Sequence, residues 1–519
     1  MGHDRSRNTG LPAGSTSGLT RRGLVQSAFA AGGIAGMVAA STPTVRAQGK
    51  DRDGKTPAAS DPIAFQLARV LNKVHFNDLP PVVIKHAKVI LASTFASAAS
   101  GLAIGSARIV RELAKEHGGK PEAPLWFDGA RLPVTDAARV NAMLSDSSAS
   151  DDSDLRNVAH DGTCLTAVGL ALAERVGASG PDTLSAMVAG YEAAGRVGDA
   201  LSASSDAARG SGAASGNVGR GFHASSIVAF GGTVAAARLL RLTDEQLAQA
   251  IGITATTVGG LSIGTNSWAR EYHAGNAALC AVNAALAAGR GYTVNPDMLE
   301  ASGGFLAVFS GAKPVTTSLT RETGNDYQIA RYLAIKLVPG AHAFHPAVEA
   351  AVNAARESRV PAEDVTKILV AGPQSRQVTS KPPKDMIEAI HSLSYFLASA
   401  VADKDFSWKH AEPEMIQRPV IARLMGLVER DPSPSTVHYD WGWGATVTII
   451  TKSGARFANT VDAPKCSAPR GIEWSDVDAK FNALMPQSHL PASRIQKSLE
   501  LIHDFDKVKK VSQLTSLLS

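Results

Sequence analysis

Aromatic side chains are scarce in this chain: Phe, Trp and Tyr make up 5% of its 519 residues, whereas 47 residues are glycine. With so few rings, the core must be filled by aliphatic and small side chains. Small side chains let helices approach one another closely, because the distance between packed helices depends on the residues at their contact. The composition therefore favours a helix-rich body.

Cysteine is also scarce. Cys164, Cys280 and Cys466 are the three cysteines of the chain, and an odd number with this spacing gives neither a disulfide framework nor a zinc site. The sequence contains no HExxH motif, no paired CxxC, no calcium-binding loop and no phosphate-binding loop after a strand. We therefore predict that the protein works without a bound metal ion.

The chain after residue 47 has no large excess of positive or negative charge. Residues 1–47 contain five arginines and one aspartate, so they account for +4 of the overall net charge of +5 at pH 7. The remaining chain is nearly neutral. It gives no electrostatic reason to expect nucleic acid as a partner.

The N-terminal segment has the three parts of an export signal. TRRGLVQ (20–26) resembles a twin-arginine motif, residues 29–40 are rich in Ala and Gly, and VRA (45–47) places small residues where a signal peptidase reads them. We predict a twin-arginine (Tat) signal peptide over 1–47, recognised by the Tat export machinery, then a linker over 48–60. The mature protein is then periplasmic. The apolar run is shorter than the roughly 20 residues of a membrane span, so we expect no stable membrane insertion after cleavage.

The hydrophobic pattern of residues 61–330 is helical. Ile63, Leu67, Val70 and Leu71 recur at the spacing of one helix face. The same spacing predicts further helices at 82–102, 136–146, 164–177, 181–199, 224–240, 243–257 and 275–290. No strands alternate with these stretches, so the segment is predicted to be an all-α domain.

The pattern changes after about residue 330. Strand patterns, β-branched or alternating, occur at 365–371 and 436–451. Helical stretches of the second half are predicted at 347–357, 385–402, 475–484, 493–503 and 507–518. The predicted fold class is therefore mainly α, with a smaller α+β domain over 331–470 that interrupts the helical body before helices return over 471–519.

One segment, residues 202–220, is rich in Gly, Ser and Ala and has little to bury. Two interpretations stay open. It is either a surface loop without regular structure or a mobile flap, because a histidine in a distinctive context follows it directly.

The sequence GLSIG (260–264) matches the GxSxG pattern of serine hydrolases. Such a serine needs a sharp turn between a strand and a helix. Here the motif lies between two helical stretches, so we do not interpret it as a nucleophile.

The residues able to carry chemistry are histidines with charged neighbours. A single histidine or acidic pair is more often structural, so only the whole set of residues indicates a site. The candidate catalytic residues are Asp151, His160, His223 and Lys336, and the candidate substrate-binding residues are Asp152, Arg270, His273 and His345.

Together these side chains suit a small polycarboxylate substrate. Arg270 and Lys336 supply the fixed cations that carboxylates need, the arginine in bidentate geometry. Removing a proton from a carbon next to a carboxylate needs a base that titrates near neutrality, which is the range of histidine. His160 or His223 is therefore predicted to act as base or acid, and Asp151 to orient the histidine.

The order and local context of these segments resemble the MmgE/PrpD family, the group of 2-methylcitrate dehydratase and cis-aconitate decarboxylase, with epimerases of the iminodisuccinate type. The resemblance extends over nearly the whole mature chain. Each match is short, but seven matches in the right order are far more specific than any one of them. The first of the seven matches combines Asp151-Asp152 with His160-Asp161-Gly162 and Leu172-Ala173-Glu174. The other six are Gly190-Tyr191-Glu192, Gly221-Phe222-His223-Ala224-Ser225, the segment 270–278, Leu299-Glu300 with Gly303-Gly304-Phe305, Lys336 and Pro339 with His345-Pro346, and Ser392 with Tyr395.

The resemblance implies a large all-helical domain built from both ends of the mature chain, 61–330 and 471–519, with a smaller inserted α+β domain, 331–470. It also implies a homodimer. The active site would lie between the two domains and use neither a metal ion nor an organic cofactor.

Departures from the family pattern bear on the substrate. Arg270 stands where the family usually has lysine, and Asp161 replaces the usual proline after His160. Gln377 falls where decarboxylase members carry a tyrosine. The segment 202–220 is also longer than the family pattern. These departures argue against cis-aconitate decarboxylase itself.

The leading hypothesis is a cofactor-independent lyase, a dehydratase of a hydroxylated di- or tricarboxylate. An epimerase, isomerase or decarboxylase of a similar acid stays open, because a proton taken from the substrate can also return to the opposite face. A protein that binds a carboxylate without turnover is a further alternative, since arginine does not readily exchange a proton.

Overall fold

This computed structural model describes residues 61–204, 217–218, 221–311, 313, 315–433 and 443–519. The predicted signal peptide (1–47) and linker (48–60) lie outside the described residues. So does most of the predicted loop or flap, of which only 202–204 and 217–218 are described.

The described chain is mostly helical. In the first part of the chain the helices are α1 (Ile63–Asn72), α2 (Pro81–Gly101), α3 (Gly105–His117), α4 (Val134–Ser147), α5 (Asp161–Val176), α6 (Gly180–Ser204), α7 (Ser225–Leu239), α8 (Asp244–Thr257), α9 (Ala269–Ala288), α10 (Phe305–Ser310), α11 (Thr317–Thr320) and α12 (Gln328–Tyr332). In the second part they are α13 (His345–Ser358), α14 (Met386–Ile390), α15 (Leu393–Asp403), α16 (Pro413–Ile416), α17 (Pro419–Met425), α18 (Trp474–Leu484), α19 (Ala492–His503) and α20 (Ser512–Thr515).

Among the described residues, the strands form one four-stranded sheet and three two-stranded pairs. They are β1 (Ala123–Pro124), β2 (Arg131–Leu132), β3 (Asp152–Asp154), β4 (Asn217–Val218), β5 (Phe222–His223), β6 (Leu333–Ile335), β7 (Val365–Ala371), β8 (Val428–Arg430), β9 (Ala445–Thr451) and β10 (Arg456–Val461). The sheet has the order β10-β9-β7-β8, in which β7 is parallel to β8 and antiparallel to β9. The pairs are β1-β2, β3-β6 and β4-β5. A mostly helical chain with small sheets confirms the coarse fold class predicted from the sequence.

Some elements differ from the sequence prediction, and their residues explain why. Helix α3 was not predicted, because its buried positions are mostly small side chains such as Ala107. Helix α9 begins at Ala269 rather than near residue 275, because the charged side chains of its first turn give no apolar signal. The predicted helix 385–402 is divided at His391, whose backbone leaves the helical conformation at φ −115° and ψ 17°.

The larger hydrophobic core combines helices of the first part of the chain with the C-terminal helices. Helix α2 contacts α4, α5, α18 and α19, and Val477 and Phe481 of α18 belong to the same cluster as Ile90 and Phe95 of α2. Helix α2 is long and apolar enough to cross a membrane, but 78% of its most apolar window is buried inside the protein. We therefore interpret it as a core helix.

A second core lies between the four-stranded sheet and helices α13, α15 and α17. Ile368 of β7 and Val447 of β9 belong to this cluster together with Ala351 of α13 and Phe396 of α15. All four side chains are buried. The predicted domain boundaries near residues 330 and 470 stay predictions.

The strand pair β3-β6 joins two distant parts of the chain that carry candidate site residues. The strands are antiparallel, with Asp152 opposite Ile335. This register places Lys336, which follows β6, beside Asp151, which precedes β3. The backbone N–H of Lys336 donates to the carbonyl oxygen of Asp151 at 3.3 Å, so the two side chains start from adjacent backbone positions.

Candidate active site

Four of the eight predicted site residues line one cavity. Its volume is about 360 Å³, within the range of roughly 300–1,000 Å³ that small-molecule sites occupy. The polar part of its wall consists of His160, His223, Ser262, Thr265, Asn266, Arg270, Lys336, His342, Gln374, Gln377 and His391. The concentration of histidines and cations around this space makes it the candidate active site.

Asp151 lies behind the wall of this cavity and joins two of its residues. Its buried carboxylate accepts a hydrogen bond from Nζ of Lys336 through Oδ1 at 2.9 Å. Its Oδ2 lies 3.1 Å from Nδ1 of His160. Burial by itself would raise the pKa of Asp151, but the nearby His160, Lys336 and Arg270 hold that pKa below its ordinary value of 3.8. Asp151 is therefore a carboxylate that balances Lys336 and lies close enough to His160 to stabilise a positive charge on its ring.

The hydrogen bonds of His160 determine which ring nitrogen carries the proton. Nδ1 lies 2.7 Å from the carbonyl oxygen of Asp152 and 3.1 Å from Oδ2 of Asp151. A carbonyl oxygen only accepts, so Nδ1 donates and Nε2 carries the lone pair. Burial lowers the pKa of His160 below 6.5, although Asp151 opposes that shift. A neutral imidazole with a free Nε2 is the form that a general base needs.

The loop that carries His160 has a constrained backbone. Val158, on the cavity wall, has a φ of 55°, a left-handed conformation that β-branched residues rarely adopt. At the start of α5, Gly162 donates its N–H to both carboxylate oxygens of Asp152 at 3.0 Å. A Cβ at Gly162 would lie 2.6 Å from Oδ1 of Asp152, so only glycine permits this approach. The strained turn and the tight helix start together hold His160 in place.

His223 has the opposite tautomer. The backbone N–H of Ser225 donates to Nδ1 of His223 at 3.2 Å, and Oγ of the same serine lies 2.8 Å from Nδ1. Because Nδ1 accepts, the neutral ring carries its proton on Nε2. Burial is the main cause that lowers the pKa of His223 to about 3, and the permanent positive charge of Arg270 acts in the same direction. His223 is therefore a neutral imidazole that donates a hydrogen bond through Nε2–H.

Arg270, in the first turn of α9, is held by backbone carbonyl groups. Its Nη2 donates to the carbonyl oxygens of Asp146 at 2.5 Å and Ser147 at 3.3 Å, and its Nε lies 3.5 Å from Oδ2 of Asp146. Burial by itself would lower the pKa of Arg270, but Asp146 and Asp151 raise it. No described residue pairs with Nη1 of Arg270. A charged donor therefore stays available for the carboxylate of a ligand.

The other predicted substrate-binding residues lie behind the wall rather than on it. The carboxylate of Asp152 accepts the N–H of Gly162 at the start of α5, and burial raises the pKa of Asp152 to about 7. The ring of His273 lies against that of His223, with centroids 5.2 Å apart. His345 lies against His342, with centroids 4.5 Å apart. Substrate contact by these three residues stays a prediction. In the structure they lie behind residues that line the cavity and contact those residues.

Four polar residues of the wall come from the second part of the chain and were not predicted as site residues. His342 lies in a short 3-10 turn before α13, Gln374 and Gln377 lie in a turn after β7, and His391 lies between α14 and α15. Nε2 of Gln377 donates to Oε1 of Gln374 at 2.5 Å. No local pattern marks these residues, because each is a single polar side chain in a loop.

Lys480 is a buried lysine behind the cavity wall that was not predicted from the sequence. It lies on the apolar face of α18, next to Phe481, and its Nζ donates to Oγ of Ser93 at 2.7 Å and to the carbonyl oxygen of Ser150. Burial lowers its pKa to about 7, and the negative charge of Asp151 opposes that shift. A lysine on the apolar face of a helix is a signal that could have identified it.

Asp146, Asp151 and His160 each offer one ligand atom, and these atoms lie within 4.8 Å of one another. Such a spacing would suit a metal ion. However, Nδ1 of His160 donates to the carbonyl oxygen of Asp152, and Lys336 and Arg270 already lie against the two carboxylates. The donor set is therefore better explained as a network of hydrogen bonds and ion pairs.

A larger cavity, of about 830 Å³, lies between the ends of α1, α5 and α7. None of the eight predicted site residues lines it. Arg238, one of its lining residues, is engaged by the backbone, because its guanidinium donates to the carbonyl oxygens of Asn72 at 2.7 Å and Val74 at 2.5 Å. The smaller cavity, which holds four of the predicted site residues, is therefore the better candidate for the active site.

Known proteins resemble this chain over most of its length. Residues 65–318 match the MmgE/PrpD N-terminal domain and residues 339–507 match the MmgE/PrpD C-terminal domain. Cis-aconitate decarboxylase of Homo sapiens is 23% identical over 467 residues, which cover 88% of this chain and 94% of that protein. Cis-aconitate decarboxylase of Mus musculus is 23% identical over 468 residues, which cover 88% of this chain and 93% of that protein. Because the two domain matches together span well over half of the sequence, the chain belongs to the MmgE/PrpD family.

Proposed function

We propose that this protein is a cofactor-independent lyase that removes water from a small hydroxylated di- or tricarboxylate. One observation supports this most strongly: two histidines with opposite tautomers share one cavity wall. Nε2 of His160 can accept a proton, whereas Nε2 of His223 carries one. The names of the relatives, both decarboxylases of a tricarboxylate, support a lyase and this substrate class.

In the proposed reaction, Arg270 and Lys336 bind carboxylates of the substrate. Nε2 of His160 removes the proton from the carbon next to a carboxylate, and Asp151 stabilises the imidazolium that forms. His223 donates its Nε2–H to the oxygen on which negative charge develops, without losing its own proton. The electrons of the broken C–H bond then form the double bond as the C–O bond breaks. The His160 imidazolium returns its proton to the departing hydroxyl, which leaves as water.

The protonation states favour dehydration over the alternatives. The neutral form of His160 suits the removal of a proton, with which dehydration begins, rather than the delivery of a proton to a carbanion, with which decarboxylation ends. An epimerase needs a second group that exchanges a proton on the opposite face, whereas His223 is held as a neutral donor. Gln377, at the position of the tyrosine of decarboxylase members, also argues against that reaction.

Incubation with hydroxylated di- and tricarboxylates in D2O tests the proposed reaction. EDTA is included, because the residues of the site are expected to act without a metal ion. We expect the 1H NMR spectrum of one substrate to gain a vinylic resonance, with no release of CO2. Deuterium exchange without a vinylic product would indicate an epimerase, and CO2 release a decarboxylase. A ligand that binds but stays unchanged would indicate a binding protein, and each of these three results contradicts a dehydratase.

The export signal and the homodimer stay predictions, and we propose that the Tat signal directs the protein to the periplasm. Replacing Arg21 and Arg22 with lysine should leave the full-length precursor in the cytoplasm, because the twin-arginine pair is what the export machinery reads. Cell fractionation followed by N-terminal sequencing checks this result. Mature protein of the variant in the periplasm would show that export does not depend on the arginine pair.

A further inference from the structure

His391 lies at a break between two helices and reaches the candidate active site. It follows α14 and precedes α15, and the residue before it is tied to the cavity wall, because the N–H of Ala341 donates to the carbonyl oxygen of Ile390 at 2.9 Å. The ring of His391 lines the cavity together with Arg270. The same two residues also line a small cavity of about 30 Å³. His391 and Arg270 are therefore neighbours on the wall.

The hydrogen bond of His391 determines its tautomer. Nδ1 lies 2.9 Å from the carbonyl oxygen of Ile387, so Nδ1 donates and Nε2 carries the lone pair. No described residue pairs with Nε2. Burial and then the positive charge of Arg270 lower the pKa of His391 to about 3. The ring is therefore a neutral hydrogen-bond acceptor beside a permanent cation.

Much of the polar wall around His391 donates hydrogen bonds. Arg270, Lys336 and Nε2–H of His223 suit the oxygens of carboxylates, which only accept. The proton of a substrate hydroxyl needs an acceptor instead, and a polar proton buried without a partner is costly. His391 offers such an acceptor next to the guanidinium that is available for a carboxylate.

We propose that Nε2 of His391 accepts the proton of a substrate hydroxyl on the carbon that bears the carboxylate bound by Arg270. In a 2-hydroxycarboxylate the hydroxyl is attached to the carbon that bears the carboxylate. When Arg270 binds that carboxylate, the hydroxyl therefore lies close to Arg270 and to its neighbour His391. His391 is thus a specificity-determining residue that favours 2-hydroxycarboxylates over analogues without the hydroxyl. This proposal rests on the proposed function for carboxylate binding and adds the class of substrate.

A pair of matched tricarboxylates tests the proposal. Citrate and propane-1,2,3-tricarboxylate differ by one hydroxyl, which in citrate lies on a carbon that bears a carboxylate. By isothermal titration calorimetry, the wild-type protein should bind citrate roughly 3- to 10-fold more tightly, the effect of one net hydrogen bond. His391→Phe keeps a ring but removes the acceptor, so it should bind both ligands equally. His391→Gln provides an acceptor again and should restore the preference.

Arg270→Lys is the matched control, because it should weaken both ligands by a similar factor and leave their ratio unchanged. A wild-type preference that survives in His391→Phe overturns the proposal, as does a wild-type protein that binds both ligands equally. If the wild-type protein binds neither tricarboxylate, and neither L-malate nor succinate, the proposed function fails as well. Thermal unfolding checks each variant, and His391→Ala is used if His391→Phe does not fold.

Discussion

Replacing His160 with asparagine should lower turnover by about 10²–10⁴-fold, the range typical of an acid–base group. Asparagine has a side-chain N–H close to the position of Nδ1, so it can keep the hydrogen bond to the carbonyl oxygen of Asp152. It lacks the lone pair that Nε2 presents to the cavity. Steady-state kinetics with the substrate found by NMR should therefore show a loss of kcat, while the affinity for citrate changes little.

The control for this variant is His489→Asn. His489 is an exposed histidine with a φ of 59°, a conformation that asparagine adopts readily, so turnover should match that of the wild-type protein. Two results would remove His160 from its role as the base. One is wild-type turnover in His160→Asn, and the other is a loss of citrate affinity with kcat unchanged.

The helical body and one strand were predictable because their signals are local. Strand β7 has the bounds predicted from its β-branched pattern, 365–371, and most long helices lie where the apolar spacing predicts them. The break at His391 could not be predicted, because the residues on both sides continue an apolar pattern. It depends on the backbone contact between Ala341 and Ile390, which joins segments far apart in the chain.

The grouping of the site residues came from family resemblance and chemistry, not from spacing. His160 and Lys336 meet through β3 and β6, each only three residues long, and a strand of that length leaves no periodic signal. His223 lies at the end of β5, just before α7, and reaches the cavity from there. Strand β5 is two residues long, so it also leaves no periodic signal in the sequence. The tautomers of the histidines depend on single backbone groups, so only the folded chain defines them. The chemistry was therefore predictable as a set of residue types, whereas the division into base and donor was not.

Replacing Asp151 with asparagine should lower turnover by up to about 10⁴-fold, as the loss of an aspartate behind a catalytic histidine does. An amide cannot stabilise the imidazolium that forms when His160 takes the proton. The loss of this negative charge should also lower the pKa of His160, because Asp151 raises it. The acid limb of the kcat/KM profile, which lies below pH 6.5 in the wild-type protein, should therefore move to lower pH. A purely structural role of Asp151 would leave the limb in place.

The same variant should lose stability, because Lys336 is 1% exposed and would face a neutral amide in the core. Removing one partner of a buried ion pair typically costs about 3–5 kcal/mol. Since the pKa of Asp151 in the folded protein lies below its ordinary value of 3.8, its contribution is fully present above about pH 4 and is lost as the pH falls further. Urea unfolding should therefore separate wild type and variant at pH 7 and bring them together in acid. Adding Lys336→Met removes the unpaired charge and should recover part of the loss. Equal stability of wild type and Asp151→Asn at pH 7 would show that this ion pair contributes nothing to the fold.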